Sequence, residues 1–231
     1  MKTIKIFLLI TFTTLFLGSC DFDDDGYSLS DAWIGFGLTD NVSENGDSFI
    51  IRMDDGSVLY PVANQIPWFD IEEDQRLLVN FTVLGDKNVS GNNKEYYVRI
   101  NQLKEILYKG IFEITPETED SIGNDPIHVV DAWLVDSLLT FELRYYGNSQ
   151  VHYINLVKQP GTPTAADEPI ELELRHNNRN DAPYMPMTAF VTFKLNALKI
   201  EGKSSTSFKV TGVDFNDGTY KDTGVFEYGN N

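Results

Sequence analysis

The sequence predicts an all-β chain with one short helix: an N-terminal OB-like barrel followed by a C-terminal antiparallel β-sandwich. Three observations predict it. Short runs alternate apolar and polar residues with period two, turn-forming residues separate those runs, and only one segment carries helical spacing. The clearest run is "IELELR", where Ile170, Leu172 and Leu174 point one way and Glu171, Glu173 and Arg175 the other. "FELRYY" (141–146) and "VTFKL" (191–195) alternate in the same manner.

In chain order, candidate strands of the first part are Ala32–Thr39, Ser48–Met53, Ser57–Pro61, Arg76–Leu84 and Tyr96–Ile100, with a last edge at Ile111–Ile114. "MDDGS", with Gly56, reads as a tight hairpin between the second and third. In "NQLKEILYKG", Asn101 can cap, Leu103, Ile106 and Leu107 share a helical face, and Gly110 can end the helix. Five or six short strands and one helix in about 85 residues suit a small OB-type barrel. "TPETEDSIGNDP" (115–126) has turn formers and no apolar periodicity, which places a domain boundary near residue 117. The barrel is then expected over 27–117 and the sandwich over 118–231, with about seven strands and no helix. Within the sandwich, Asp136-Ser137 and the Asp-Gly of "FNDGTY" read as hairpin turns, and "KQPGTPTAADEP" (158–169) as a long loop. "DAW" occurs at Asp31–Trp33 and Asp131–Trp133, which suggests a buried Trp in the opening strand of each part.

The start of the chain sets its destination. Lys2 and Lys5 precede a twelve-residue apolar core, Ile6–Leu17, and then Gly18 and Ser19. Such a core makes about 18 Å of helix at about 1.5 Å per residue, too short to span roughly 30 Å of hydrocarbon. "LGSC" resembles a bacterial lipobox, so residues 1–19 are expected to be a lipoprotein signal peptide and Cys20 the acylated N-terminus. Residues 20–26 then form a lipidated acidic tether. Asp21, Asp23, Asp24 and Asp25 resemble the surface-export signals of Bacteroidetes lipoproteins, which implies an outer-membrane protein exposed on the cell surface. Two or more acyl chains hold a protein firmly, where one gives only marginal binding.

Removing residues 1–19 takes two lysines and no acids, leaving 16 basic and 35 acidic side chains, a formal charge of −19. Nucleic acid is excluded as a partner, because phosphate binding draws its affinity from Lys and Arg. Anionic headgroups would repel the chain as well, so the lipid alone is the membrane attachment. Cys20 is the only cysteine, so no disulfide is available and packed cores must supply the stability.

These features, with "DGYSL", "RMDDGSVLYP", "RLLVNFTVLGDK", "YYVRINQLKEIL", "DSIGNDPI", "INLV" and "ELRHNNRNDAP", resemble the NigD-like lipoproteins of Bacteroidetes over nearly the whole mature chain. The resemblance implies an N-terminal OB-like domain and a C-terminal β-sandwich. It brings no catalytic residues; the family takes its name from a bacteriocin operon.

No motif for chemistry stands out. His128, His152 and His176 lie on separate strand regions without ligand spacing, and are expected to be strand-end or surface residues rather than metal ligands. "DFNDGTYKD" (214–222) lacks one residue of an EF-hand loop and its twelfth-position glutamate. "EGKSST" at Glu201 has Ala197 where a phosphate loop needs glycine. The expectation is a non-enzyme without cofactor or metal, a binding or accessory module for a protein partner in an envelope assembly. The alternative is a glycan or small molecule bound on a barrel platform of Trp33, Tyr60, Trp68, Tyr96 and Tyr97, against which stands the tendency of strand aromatics to be core. A bacteriocin immunity-like role is a further alternative. Asp120-Ser121-Ile122 resembles a Bacteroidetes O-glycosylation sequon, with Ser121 as acceptor.

Overall fold

The computed structural model describes residues 27–66, 69–90, 93–159 and 168–228. The signal peptide, Cys20, Asp21, Asp23, Asp24, Asp25 and Trp68 therefore lie outside the described residues, as do residues 160–167 of the long sandwich loop.

Strands β1 (Trp33–Asp40), β2 (Ile50–Met53), β3 (Val58–Asn64), β4 (Arg76–Ser90) and β5 (Asn93–Glu105) close a barrel in the order β1-β2-β3-β5-β4. All its pairs are antiparallel except β3 with β5. Period two puts Ile51, Leu59, Leu77, Val79, Val98 and Ile100 inside, where none is exposed. β1 turns Gly37 inward because the interior has no room: a Cβ there would come within 2.6 Å of Ile51 Cγ2. Asp54–Ser57 makes the expected hairpin turn between β2 and β3, with Gly56 at φ 83°.

The helix expected over 101–110 does not form. β5 runs on to Glu105 and stays paired with β4 throughout. A register shift opposite Asn80/Phe81 moves the inward position from Ile100 to Leu103, and that spacing of three imitates a helical face. After buried Ile106 come β6 (Leu107–Gly110) and β7 (Phe112–Glu113), which pair in parallel with sandwich strands. By strand pairing the chain thus passes from barrel to sandwich at Ile106, ahead of residue 117. The segment of turn formers at 115–126 holds α1 (Pro116–Ile122). Pro116 occupies the first turn, Thr118 Oγ1 accepts from the Thr115 N–H at 2.9 Å, and Gly123 at φ 73° ends the helix.

The remaining strands are β8 (His128–Val135), β9 (Leu138–Gly147), β10 (Tyr153–Lys158), β11 (Ile170–Asn177), β12 (Met185–Lys194), β13 (Ser205–Val213) and β14 (Thr219–Glu227). One sheet is β14-β13-β11-β10-β7 and the other β6-β12-β9-β8, so the seven strands expected beyond residue 118 form and are joined by β6 and β7 from before it, with a 3-10 turn at Leu195–Leu198. β11 and β13 are also parallel. Between the sheets pack Leu139, Phe141, Leu156, Leu172, Val191 and Phe193.

Barrel and sandwich meet across a buried polar seam. Arg76, on the outward side of β4, has no exposed side-chain surface. Its guanidinium donates to both carboxylate oxygens of Asp54, at 2.5 and 2.7 Å, and to Thr192 and Thr140 on the facing sheet, each at 3.2 Å. Phe36 lies beneath that guanidinium and against Trp133 and Phe190. The fork-to-fork geometry satisfies the buried charge, so loss of either partner is expensive. Lys194 adds a second tie, 2.6 Å from Asp74.

Candidate binding face

The outward face of the barrel away from the seam is shared by β3, β5, β4 and the start of β1. Tyr60 and Tyr97 are register partners and meet edge to face, their ring centroids 6.4 Å apart. Lys87 sets its Nζ 3.2 Å from the Tyr60 ring centroid and 3.6 Å from Glu95. The Tyr60 hydroxyl, and then Glu95, hold that ammonium above the usual lysine range. One row further along, Arg99 donates to Asn101 Oδ1 at 3.1 Å and to Thr82 Oγ1 at 3.2 Å. Asn101 donates in turn to Asn80 and Thr82, both at 3.0 Å.

The N-terminal segment 27–32 runs over this cluster as a strap. The Leu29 carbonyl accepts from Arg99, and Thr82 beneath is buried. Tyr27 packs edge-on against Tyr96, and its hydroxyl donates to Asp86 at 2.5 Å. That bond, helped by burial, pushes the Tyr27 phenol up to about 12.

Of the predicted aromatic platform, the structure brings Tyr60 and Tyr97 together among the described residues. Tyr60 and Tyr97 share the outer face, but Tyr96 has the parity of Val98 and Ile100 and packs against the barrel core. Trp33 sits at the barrel end and is exposed, contrary to the buried Trp expected of an opening strand, while Trp133 is half-buried in the seam. Trp68 lies outside the described residues. Lys87, Arg99 and Asn101 were not foreseen, although the alternation in "YYVRIN" puts Tyr97, Arg99 and Asn101 on one side. Ser121 is exposed on α1, and its hydroxyl donates to the Thr118 carbonyl.

Two of the three histidines, placed apart by the sequence, are brought together in the sandwich. The Nδ1–H of His176 donates to the Pro126 carbonyl at 3.1 Å, and its Nε2 shares a hydrogen bond with His152 Nδ1 at 2.9 Å. His152 Nε2 faces Asp181 Oδ2 at 3.2 Å, and because a carboxylate only accepts, that nitrogen is the donor. Burial pushes His176 below the usual histidine range. Burial alone would raise Asp181, but the N–H groups of Asn148 and Ser149 and the His152 ring outweigh it and hold the carboxyl down at about 2. The His152 and Asp181 side chains are sealed from solvent, so this chain of groups braces the sandwich and meets no substrate. His128 is a separate surface residue, 3.0 Å from Asp214. Among the described residues no group of three or more His, Cys, Asp or Glu is placed to hold a metal, and no helix is long and apolar enough to cross a membrane.

Residues 40–106 match the NigD-like N-terminal OB domain, and residues 110–225 the NigD-like C-terminal beta sandwich domain. Among solved structures, a "TOXIN related protein" of Parabacteroides distasonis is similar at 27% identity and TM-score 0.71, over 85% of this chain and 94% of that one. A NigD-like immunity protein of Bacteroides caccae is similar at 15% and 0.63, over 85% and 93%. A lipoprotein of Bacteroides fragilis is similar at 12% and 0.59, over 86% and 98%. The last two likenesses show the fold alone. No curated protein matches the chain.

Proposed function

The chain belongs to the NigD-like family, and we propose that it is a non-enzymatic lipoprotein, anchored through Cys20 at the outer membrane, that serves as a binding or accessory module in an envelope assembly. The observation that carries this reading is the division of the barrel surface. The end beside the sandwich is closed by Arg76 and Phe36, whereas further along the same outward side Tyr97 is left uncovered beside the Arg99 cluster. An exposed aromatic side chain beside a satisfied polar centre suits a protein contact. Crosslinking of intact cells carrying a tagged copy, with Cys20→Ala as control, tests it. One envelope protein recovered in near-equal amount and lost with Cys20→Ala is the expected result; recovery of the lipoprotein alone overturns the assembly reading.

Tyr97 favours a second reading. With about two-fifths of its surface open, beside Lys87 and Glu95, it offers a ring edge and charged hydrogen-bonding groups to a sugar. Titration calorimetry against a glycan panel checks this: heat that disappears with Tyr97→Ala supports it, and no heat with any glycan removes it. An immunity-like role has its namesake in the Bacteroides caccae structure, whose likeness extends to the fold.

A further inference from the structure

We propose that the strap and the start of β1 form a membrane-contact surface, in which Tyr27, Leu29, Trp33 and Ile34 rest in the headgroup region of the bilayer. The inference rests on the lipid-anchor reading and adds a defined orientation of the barrel to it. These four residues are 44%, 64%, 55% and 69% exposed, and all lie within the first eight described residues. By register Ile34 projects on the side of Asn80, and the Leu29 carbonyl is held by Arg99 over the same face. The apolar surface therefore gathers where the chain enters the barrel.

Chain length says what covers it. Seven peptide steps separate Cys20 from Tyr27, and at about 3.5 Å each they reach at most about 25 Å when fully extended. A lipidated Cys20 thus holds this end of the barrel beside the bilayer, however the rest of the molecule is turned. The chemistry agrees. Trp and Tyr favour the membrane–water interface, where a ring can be half apolar and half wet, and Leu29 and Ile34 supply aliphatic surface beside them. Residues 27–36 carry one charge, Asp31, and no Lys or Arg occurs between Cys20 and Ile51. The contact is consequently apolar and interfacial, insensitive to salt, and suited to zwitterionic rather than anionic headgroups.

The test uses the full lipidated protein in phosphatidylethanolamine–phosphatidylcholine vesicles whose acyl chains are brominated to quench tryptophan. Mass spectrometry of the Cys20 adduct and vesicle flotation come first; an unmodified Cys20 or a chain that does not float defeats the anchor reading itself. In a floating protein, we expect bromine to quench wild-type fluorescence and the quenching to be lost in Trp33→Phe. A conservative ring exchange at an exposed site leaves the fold intact. Leu29→Ser with Ile34→Ser should reduce Trp33 quenching without detaching the protein. Quenching that survives Trp33→Phe, or none in a floating wild type, overturns the contact surface while the anchor stands. A photo-crosslinker replacing Trp33 in cells that captures protein and no lipid overturns it too.

Discussion

Two arginines meet the outward side of β4 with opposite fates: its pleat puts Arg76 at the start of that side and Asn80 and Thr82, the partners of the Arg99 cluster on β5, further along it. Arg76 is wholly buried, faces a carboxylate fork and two threonine hydroxyls, and lies over an aromatic ring. Arg99 has amide, hydroxyl and carbonyl partners, with no carboxylate among its hydrogen-bond acceptors in the described residues. The same residue type thus serves two ends. Where a guanidinium is dry, its counter-charge must be built in; where water reaches it, neutral acceptors suffice to fix its direction and its charge stays available to a ligand.

The seam should therefore be the costlier one to break. Asp54→Ala strands the Arg76 charge in a buried site, and a loss of about 3–5 kcal/mol is expected for an ion pair broken in this way. In a domain of this size that corresponds to a fall in Tm of roughly 10 °C, read by thermal denaturation. Asp54→Ala together with Arg76→Met removes both charges and should cost less than Asp54→Ala alone, which a double-mutant cycle in denaturant detects. If the two single changes simply add, Arg76 and Asp54 are not coupled and the seam is held by the aromatics.

The His176–His152–Asp181 chain gives the next largest effect, and it depends on pH. His176 is held below its unfolded value of about 6.5, so below that pH the unfolded chain binds the proton more readily and stability falls. Asp181 is held at about 2 against an unfolded value of about 3.9, so its contribution is intact above that value and lost as pH falls towards 2. Acid destabilises in both windows. Denaturant midpoints followed from pH 7 down should decline first below about pH 6.5, and His176→Gln should flatten that first decline and leave the second. A wild-type midpoint unchanged between pH 7 and 5 would contradict a His176 held below its ordinary range by burial.

The contrast between surfaces also explains what could be read in advance. Ile170, Leu172 and Leu174 face the sandwich core as their alternation implied, and the Asp54–Ser57 and Phe215–Gly218 turns lie where turn chemistry put them. These are local properties, set by a pleat or by one backbone conformation. The errors arose where a distant partner decides. A bulge in β5 converts period two into a spacing of three and looks helical until β4 is placed beside it. α1 buries only Ile122, so no apolar period marked it, and its cap residues were the sole signal. His152 and His176 meet through the register of β10 with β11, which pairs Ile154 with His176 and is set across a long loop. Arg76 read as the polar first residue of a strand, since nothing local shows that a second domain will cover it.

The smallest expected effect belongs to the open face and sharpens the comparison most. Lys87 and Glu95 are both partly solvated at 3.6 Å, so Lys87→Ala should leave the denaturant midpoint close to wild type. Tyr97→Ala removes one edge-to-face partner of Tyr60 on an exposed sheet surface, where such cross-strand pairs contribute roughly 0.2–1 kcal/mol. Denaturant midpoints near wild type for both variants, with capture of the envelope partner or the glycan heat lost in Tyr97→Ala, would assign this face to recognition. A Tyr97→Ala variant as unstable as Asp54→Ala would instead mean that the tyrosine pair holds the barrel shut, and the division of labour along the outward side of β4 would fail.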